Sequence, residues 1–572
     1  MRGKALSGTA NVIWVILASR LRRYNAVVKR KRGSALQRYG PGSVRRRVAL
    51  AALAVALAFG GAPAAAAPAP AIQPLPATPE LVALGKRVFD RQCSPCHGAS
   101  GRGDGPAAYL LYPKPRDFVA ARYRIGSTWE GVPTDLDLFR TISRGMPGSA
   151  MPSWGHLPER ERWGLVHYVK SLAEKPIVVQ PTTAPASEDA VGTGVVIVPP
   201  EPPYDAAAQA RAKELFADAC APCHGPTAHG DGAQEQHDEK GYPTRPRDLT
   251  VGVFKGSPDA PELYRRLIAG IPGSPMPASN WAYGADAWHL VHYVRSLSSD
   301  AQRARAEMRR FRIPVTRVAR LPDHPDDGVW RMAPAINLHL MPLWWRNDRP
   351  EEVTVRALHD GRDIVFQLVW ADSTYDATAM RPQDFRDAAA IEVSHTPDPP
   401  FFAMGAVGQF VDIWMWKAER QADLEPAFQD LEKVYPNLGI DSYPNLLRSP
   451  LEQPHRHALT LESDPTFVTA WGAGNIVADP TRGSAAESLT AQGFGTLRAR
   501  PPIDQTVSAK GVYGTESYRV TFRRRMAGKS PGTVALKPGT IVPVAFAVWN
   551  GSAGDRDGKK SVTIWQELEI GR

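Results

Sequence analysis

In the N-terminal half of the chain apolar residues fall at helical spacing, and from Val353 onward they alternate. Leu81, Leu84, Val88 and Phe89 share one helical face. Thr78, ahead of Pro79 and Glu80, reads as that helix's N-cap. Asp137 to Ile142 predicts a short helix, and Leu157 to Ala173 a longer one with Trp163, Val166, Tyr168, Val169 and Leu172 inward. Ala206 to Ala219 predicts another helix, and Ala301 to Arg312 a basic connecting helix. The period then changes. Val353, Val355 and Ala357 alternate, His359 to Arg362 turns the chain, and Ile364, Phe366, Leu368 and Trp370 alternate again. Further strands are expected at 389–394, 409–416, 517–522, 541–549 and 561–570. Many short strands with turn signals predict an all-β sandwich. Residues 419–500 follow neither period and read as long loops with short helices.

The helical half contains a duplication. Cys93-Ser94-Pro95-Cys96-His97 returns as Cys220-Ala221-Pro222-Cys223-His224, and Pro115-Arg116-Asp117-Phe118 as Pro246-Arg247-Asp248-Leu249. The methionine loop at 145–152 returns at 270–277, and Val166–Leu172 returns at 291–297. A repeat on this scale is a duplicated domain. C-x-x-C-H is the attachment signature of a c-type haem: two thiols on one helical turn reach one porphyrin edge, and the histidine falls beneath the iron. A thioredoxin-type pair or half a zinc site would need only the cysteines. These four are the chain's only cysteines. Expected covalent attachment is therefore through Cys93, Cys96, Cys220 and Cys223, with His97 and His224 as proximal ligands.

The repeat also selects the sixth ligand. The first copy offers Met146 and Met151, whereas the second has Ile271 and Met276. Met151 and Met276 are the expected ligands. Arg116 and Arg247 are candidates to pair haem propionates through a bidentate guanidinium, with Arg245 an alternative in the second copy. His167 and His292, on the closing helices, read as surface or packing residues rather than ligands, because each module already has its pair. Helix, haem motif, methionine loop and aromatic closing helix together resemble a small class I cytochrome c. Two all-α modules of this kind span 78–175 and 205–300, joined by a Pro/Thr/Val-rich linker at 176–204.

Charge adds one point. The formal +11 would suit nucleic acid or an anionic surface, but thirteen Lys and Arg lie between Arg2 and Arg47, and no acidic residue precedes Glu80. Arg45-Arg46-Arg47, apolar Val48–Phe59 and small Gly60–Ala67 have the order of a secretory signal peptide. Residues 1–67 thus read as an extension plus signal, and losing those cations takes +11 to −2. No nucleic-acid partner is expected. A periplasmic location is expected, with membrane association if the signal stays uncleaved.

Three C-terminal stretches resemble the haem b subunit of ethylbenzene dehydrogenase and its relatives in the dimethyl sulfoxide reductase superfamily. They are Pro399–Gly405, Val411–Ala418, and Val548–Gly551 with Asp555–Val562. The resemblance implies that residues 315–572 hold one non-covalent haem b through a methionine and a lysine. By motif these are Met404 and Lys560, with Met415 and Lys559 as fallbacks. It also implies docking against the iron–sulfur and molybdenum subunits of an oxidoreductase. The chain then reads as an exported, non-catalytic relay with two haems c and one haem b, exchanging electrons with a soluble cytochrome or membrane oxidase. One alternative is a di-haem, peroxidase-like enzyme. Another is a di-haem cytochrome tethered to a haem-free ligand-binding sandwich, with Trp414, Trp416 and Trp549 as exposed platforms.

Overall fold

The computed structural model describes residues 72–186, 190–346, 348–399, 404–424, 437, 483–528, 530 and 532–572. The expected signal segment, residues 400–403 of the first ethylbenzene dehydrogenase-like stretch and most of 419–500 lie outside them. Residues 74–572 form one unit.

The first module is built on α1 (Pro79–Gln92), α2 (Asp135–Arg144) and α3 (Glu159–Ser171). Thr78 caps α1, its Oγ1 accepting from Leu81 N at 3.2 Å. Thr134 and Asp137 form a capping box on α2, so this helix starts two residues earlier than its apolar pattern suggests. α1 and α3 cross at Gly85 and Gly164. A Cβ on Gly85 would lie 2.0 Å from Gly164 O. Gly85→Ala is therefore expected to destabilise this module by about 1–3 kcal/mol through overpacking. That exceeds the roughly 1 kcal/mol of helix propensity gained. The measurement is thermal unfolding of the full chain, where a midpoint equal to wild type contradicts the prediction.

The second module uses α4 (Ala206–Leu215), α5 (Ala260–Ala269) and α6 (Ala285–Ser296). α4 is shorter than expected, because a wide π-type turn at Phe216–Cys220 delivers the haem motif. The module is not wholly helical: Gln236–His237 pairs antiparallel with Pro243–Thr244. The modules interlock. Trp129 of the first lies in the apolar core of the second, its ring 5.2 Å from that of Tyr283. The intervening segment is not a free tether. Val196 is fully buried, its N–H donating to Ser127 O at 2.8 Å, and Trp129 N donates to Gly194 O at 2.9 Å. Apolar Val196 and its backbone partners override what the Pro/Thr composition implied.

The expected connecting helix at 301–312 is only Asp300–Arg305. Phe311 N is taken by Gln566 Oε1 at 2.7 Å, which draws the following residues into a strand. The strands are β1 (Arg312–Arg317), β2 (Ile336–His339), β3 (Glu352–His359), β4 (Asp363–Ala371), β5 (Ala388–Ser394) and β6 (Val411–Lys417). They continue with β7 (Ala486–Ala491), β8 (Ser508–Tyr513), β9 (Ser517–Arg525), β10 (Ile541–Trp549) and β11 (Gln566–Ile570). The long last strand expected at 561–570 is broken: Ser561–Val562 and β11 pair separately along β10.

Among the described residues these eleven strands lie in one sheet, ordered β7-β6-β5-β10-β11-β1-β3-β4-β9-β8, with β2 on β3, and the two-residue strands Met341–Pro342, Arg498–Ala499 and Ser561–Val562 bring it to 14. Most neighbours are antiparallel, while β1 is parallel to both β11 and β3. The halves of the sheet pack face to face. Phe366 on β4 meets Trp414 on β6 with ring centroids 5.6 Å apart, and Trp370 meets Trp416 at 6.2 Å. Side-chain alternation then sends the other face of β5, β6 and β10 outward, toward the first module.

Candidate haem sites

Three cavities, of about 150, 240 and 380 Å³, contain the residues singled out above.

In the first, Cys93, Cys96 and His97 sit at the end of α1 and on the turn that follows. His97 Nδ1 is 3.0 Å from Arg116 O, which fixes the ring and leaves Nε2 for a metal. Burial lowers the pKa of His97 to about 4, keeping it neutral as ligation requires. Burial pushes the Cys96 thiol up to about 12 and raises Cys93 as well. Such thiols are not thiolates prepared for a metal cluster. Among the described residues no three His, Cys, Asp or Glu side chains are grouped to hold a metal ion.

Met146 and Met151 both line this cavity. Their loop is closed by Met146 N donating to Met151 O at 3.0 Å and Ser149 Oγ to Met146 O at 2.7 Å. The second module repeats this with Ile271 N to Met276 O at 3.1 Å and Ser274 Oγ to Ile271 O at 2.8 Å. Ile271 therefore occupies the place of Met146, and Met276 that of Met151.

Cys220, Cys223, His224 and Met276 line the second cavity. Burial again lowers His224 and pushes Cys220 up to about 11. The Arg247 carbonyl lies beside His224 Nδ1 without a formed hydrogen bond. His167 and His292 are packing residues: His167 Nε2 meets Leu75 O at 2.7 Å, and His292 stacks on Tyr204.

The two arginines differ. Arg116 lines the first cavity and donates to Glu239 Oε1 of the second module at 3.0 Å. Arg247 lines both cavities. Its Nη2 donates to Pro147 O at 3.3 Å, while buried Nε and Nη1 have no partner. Arg245 lines the second cavity only. Lys255, which the motifs did not single out, also lines both. Its first-module counterpart at the repeat offset of Arg116 and Arg247 is Arg124, so the shared R-D…aromatic-cation spacing was the available signal.

The third cavity lies on the outer face of the sheet, not between its halves. Ala388, Ala390 and Glu392 of β5, Met415 and Lys417 of β6, and Ala545, Ala547 and Trp549 of β10 line it. Ala390 pairs with Ala547, so the alanines form a floor without projecting side chains, suited to a flat macrocycle. Lys560 Nζ is 3.9 Å from Met404 Sδ and 4.9 Å from the Trp549 ring centre. Lys559 turns away and donates to Ala553 O at 2.7 Å. Met404 has φ +61°, a strained value for a non-glycine residue, as found where a side chain is aimed at a ligand. Burial lowers the pKa of Lys560 and pushes neighbouring Glu392 up to about 7. Tyr109 and Leu110 of the first module complete the wall.

Donor chemistry and shape thus fit a macrocycle in each cavity. Trp414, Trp416 and Trp549 are only 0, 1 and 6% exposed, so they are not exposed platforms. Ala547→Leu is expected to displace the occupant of the third cavity and leave the two c-type sites loaded. Haem stoichiometry after purification measures this, and full b-type loading contradicts it.

The cytochrome c family model matches residues 82–173 and 209–298, and the ethylbenzene dehydrogenase model matches 328–561. A protein described as a respiratory nitrate reductase haem subunit from Haloferax mediterranei is 23% identical, covering 44% of this chain and 69% of that one. The dimethylsulfide dehydrogenase gamma subunit of Rhodovulum sulfidophilum is 24% identical, covering 44% and 77%. A Kuenenia stuttgartiensis reducing HAO-like complex is 35% identical over 38% of this chain and 96% of that one, with a TM-score of 0.33.

Proposed function

The chain belongs to the cytochrome c family through two domains and to the ethylbenzene dehydrogenase family through its C-terminal domain, and on that premise we propose that it is an electron-transfer subunit of a molybdenum oxidoreductase. The observation that carries this reading is the serial arrangement of the cavities. The first shares Arg247 and Lys255 with the second, and the first module lends Tyr109 and Leu110 to the third. A haem supplies reversible one-electron chemistry when bound. The chain's part is to hold three such groups in the order b, first c, second c, and to close their coordination.

His97 with Met151 and His224 with Met276 would hold the c-type groups, and Met404 with Lys560 the b-type group. Closed coordination suits transport and disfavours the peroxidase-like alternative. Joining the modules covalently and packing them together replaces diffusional encounter by a fixed separation. The relatives named as gamma or haem subunits support docking to catalytic molybdenum and iron–sulfur subunits. A soluble cytochrome or membrane oxidase is the proposed exchange partner at the other end.

Export belongs to the same proposal, supported by the order of charges and apolar residues at 45–67 and by the periplasmic assembly of c-type cytochromes. A mature N-terminus within or just after 60–67 in periplasmic protein checks it. The central test is a pyridine haemochrome spectrum with metal analysis of the native complex. Two haems c, one haem b and co-purifying molybdenum and iron–sulfur support the reading. Two haems c without haem b overturn the relay order, and strong carbon monoxide binding at a c haem of the reduced protein favours an enzyme.

A further inference from the structure

The cations at the seam between the modules are not balanced by the chain itself. The first module's pair, Arg116 and Arg124, has carboxylate partners: Arg116 is 3.0 Å from Glu239 and Arg124 is 3.7 Å from Asp238. Both acids come from the small hairpin of the second module. The equivalent pair in the second module, Arg247 and Lys255, forms no ion pair with any described carboxylate. The acid nearest in effect on Arg247 is Glu351, which is held by Arg349 at 2.5 Å. Burial and the surrounding arginines push Lys255 down to about 7 and Arg247 to about 9. Arg247 is buried and Lys255 half-buried, and a cation taken out of water without a counter-charge is costly. An anion therefore belongs at this seam.

Geometry says which anion. Arg247 and Lys255 face both c-type cavities, each of which takes a group with two carboxylates. Arg247 also crosses the boundary to the first module's methionine loop. A Cβ on Gly148 would lie 2.7 Å from its Nη1, and Gly148 has φ +70°, so the loop is shaped to admit the guanidinium. Trp345 of the C-terminal domain supports it from another side, 5.3 Å from ring centre to Cζ.

We infer that Arg247 and Lys255 form one cationic bridge that compensates propionates of both c-type haems, so that the two haems meet edge to edge at this seam and share one electrostatic control. This rests on reading the two cavities as haem sites. A cation near a haem favours the reduced state, because reduction adds a negative charge. One substitution in the second module should then move the potentials of both haems.

The test is a spectroscopic redox titration of the full-length holoprotein carrying Lys255→Gln, with Lys255→Arg as the charge-preserving control. The expected result is a downward shift of both c-haem midpoints in Lys255→Gln, recovery toward wild type in Lys255→Arg, and an unmoved b-haem midpoint. A shift confined to one c haem, or no shift, overturns the shared bridge. Wild-type midpoints that move with added inorganic phosphate overturn the propionate assignment in favour of a free ion. Haem counts on the same samples separate these outcomes from failure of the haem reading, which would appear as fewer than two covalent haems. If Lys255→Gln does not accumulate, Arg247→Gln and Arg247→Lys give the same comparison.

Discussion

Met151→Ala is expected to open the iron of the first module. The reduced variant binds carbon monoxide at one of its two c-type haems, and that haem's midpoint falls by on the order of 0.1 V, because thioether ligation raises the potential of a His-ligated iron. Met146→Ala should do neither. The two methionines are five residues apart and line the same cavity, so proximity alone does not separate them. The second module does. Its loop has the same two hydrogen bonds in the same places, with isoleucine, which cannot ligate, where Met146 stands. If the second site is complete with Met276 alone, the first is complete with Met151. Carbon monoxide binding by Met146→Ala, and not by Met151→Ala, would reverse the assignment. Met276→Ala should open the other c-type iron, and the double variant should bind two equivalents.

Lys560→Ala should abolish b-type haem binding and leave two covalent haems, whereas Lys559→Ala should keep all three. Lys560 is aimed into the third cavity beside the Met404 sulfur, while the Lys559 ammonium is committed to the Ala553 carbonyl. A lysine ligates only as the free amine, and burial favours that form by lowering its pKa. Trp549 and the alanine floor exclude water around it. Burial pushes Glu392 up to about 7, so it is a weaker counter-charge to the lysine than an ordinary carboxylate. The readout is the haemochrome ratio of b to c. Full b-type content in Lys560→Ala would remove lysine from the ligand set. Met404→Ala with full b-type content would shift attention to Met415, which lines the same cavity.

Legibility followed the range of the interactions. Helices with local signals were readable: Thr78 before Pro79 marks the start of α1, and Trp163 to Leu172 marks the face of α3. Strands with clear alternation, such as β3 and β4, were readable for the same reason. β1 was not. Arg312-Ile313-Pro314-Val315 has little local strand character, and it becomes a strand because β11 and β3 accept it in parallel pairing. The segment between the modules read as a linker from its prolines, yet Val196 and Gly194 dock on Ser127 and Trp129. The residues lining the third cavity were scattered among strands whose inward neighbours dominate the pattern. Ala388, Ala390, Ala545 and Ala547 carry no distinctive chemistry until pairing sets them side by side.

The expectation of covalent haem attachment, of His97 and His224 as proximal ligands and of Met151 rather than Met146 as the sixth ligand came from the chain alone. Each depends on residues a few positions apart or on comparison of two copies of one local pattern. The approach of Met404 to Lys560 across 156 positions, the outward placement of the third cavity and the seating of Arg247 and Lys255 against both c-type sites depend on sheet register and module docking. Those arise from burial shared by distant segments, which no local spacing encodes.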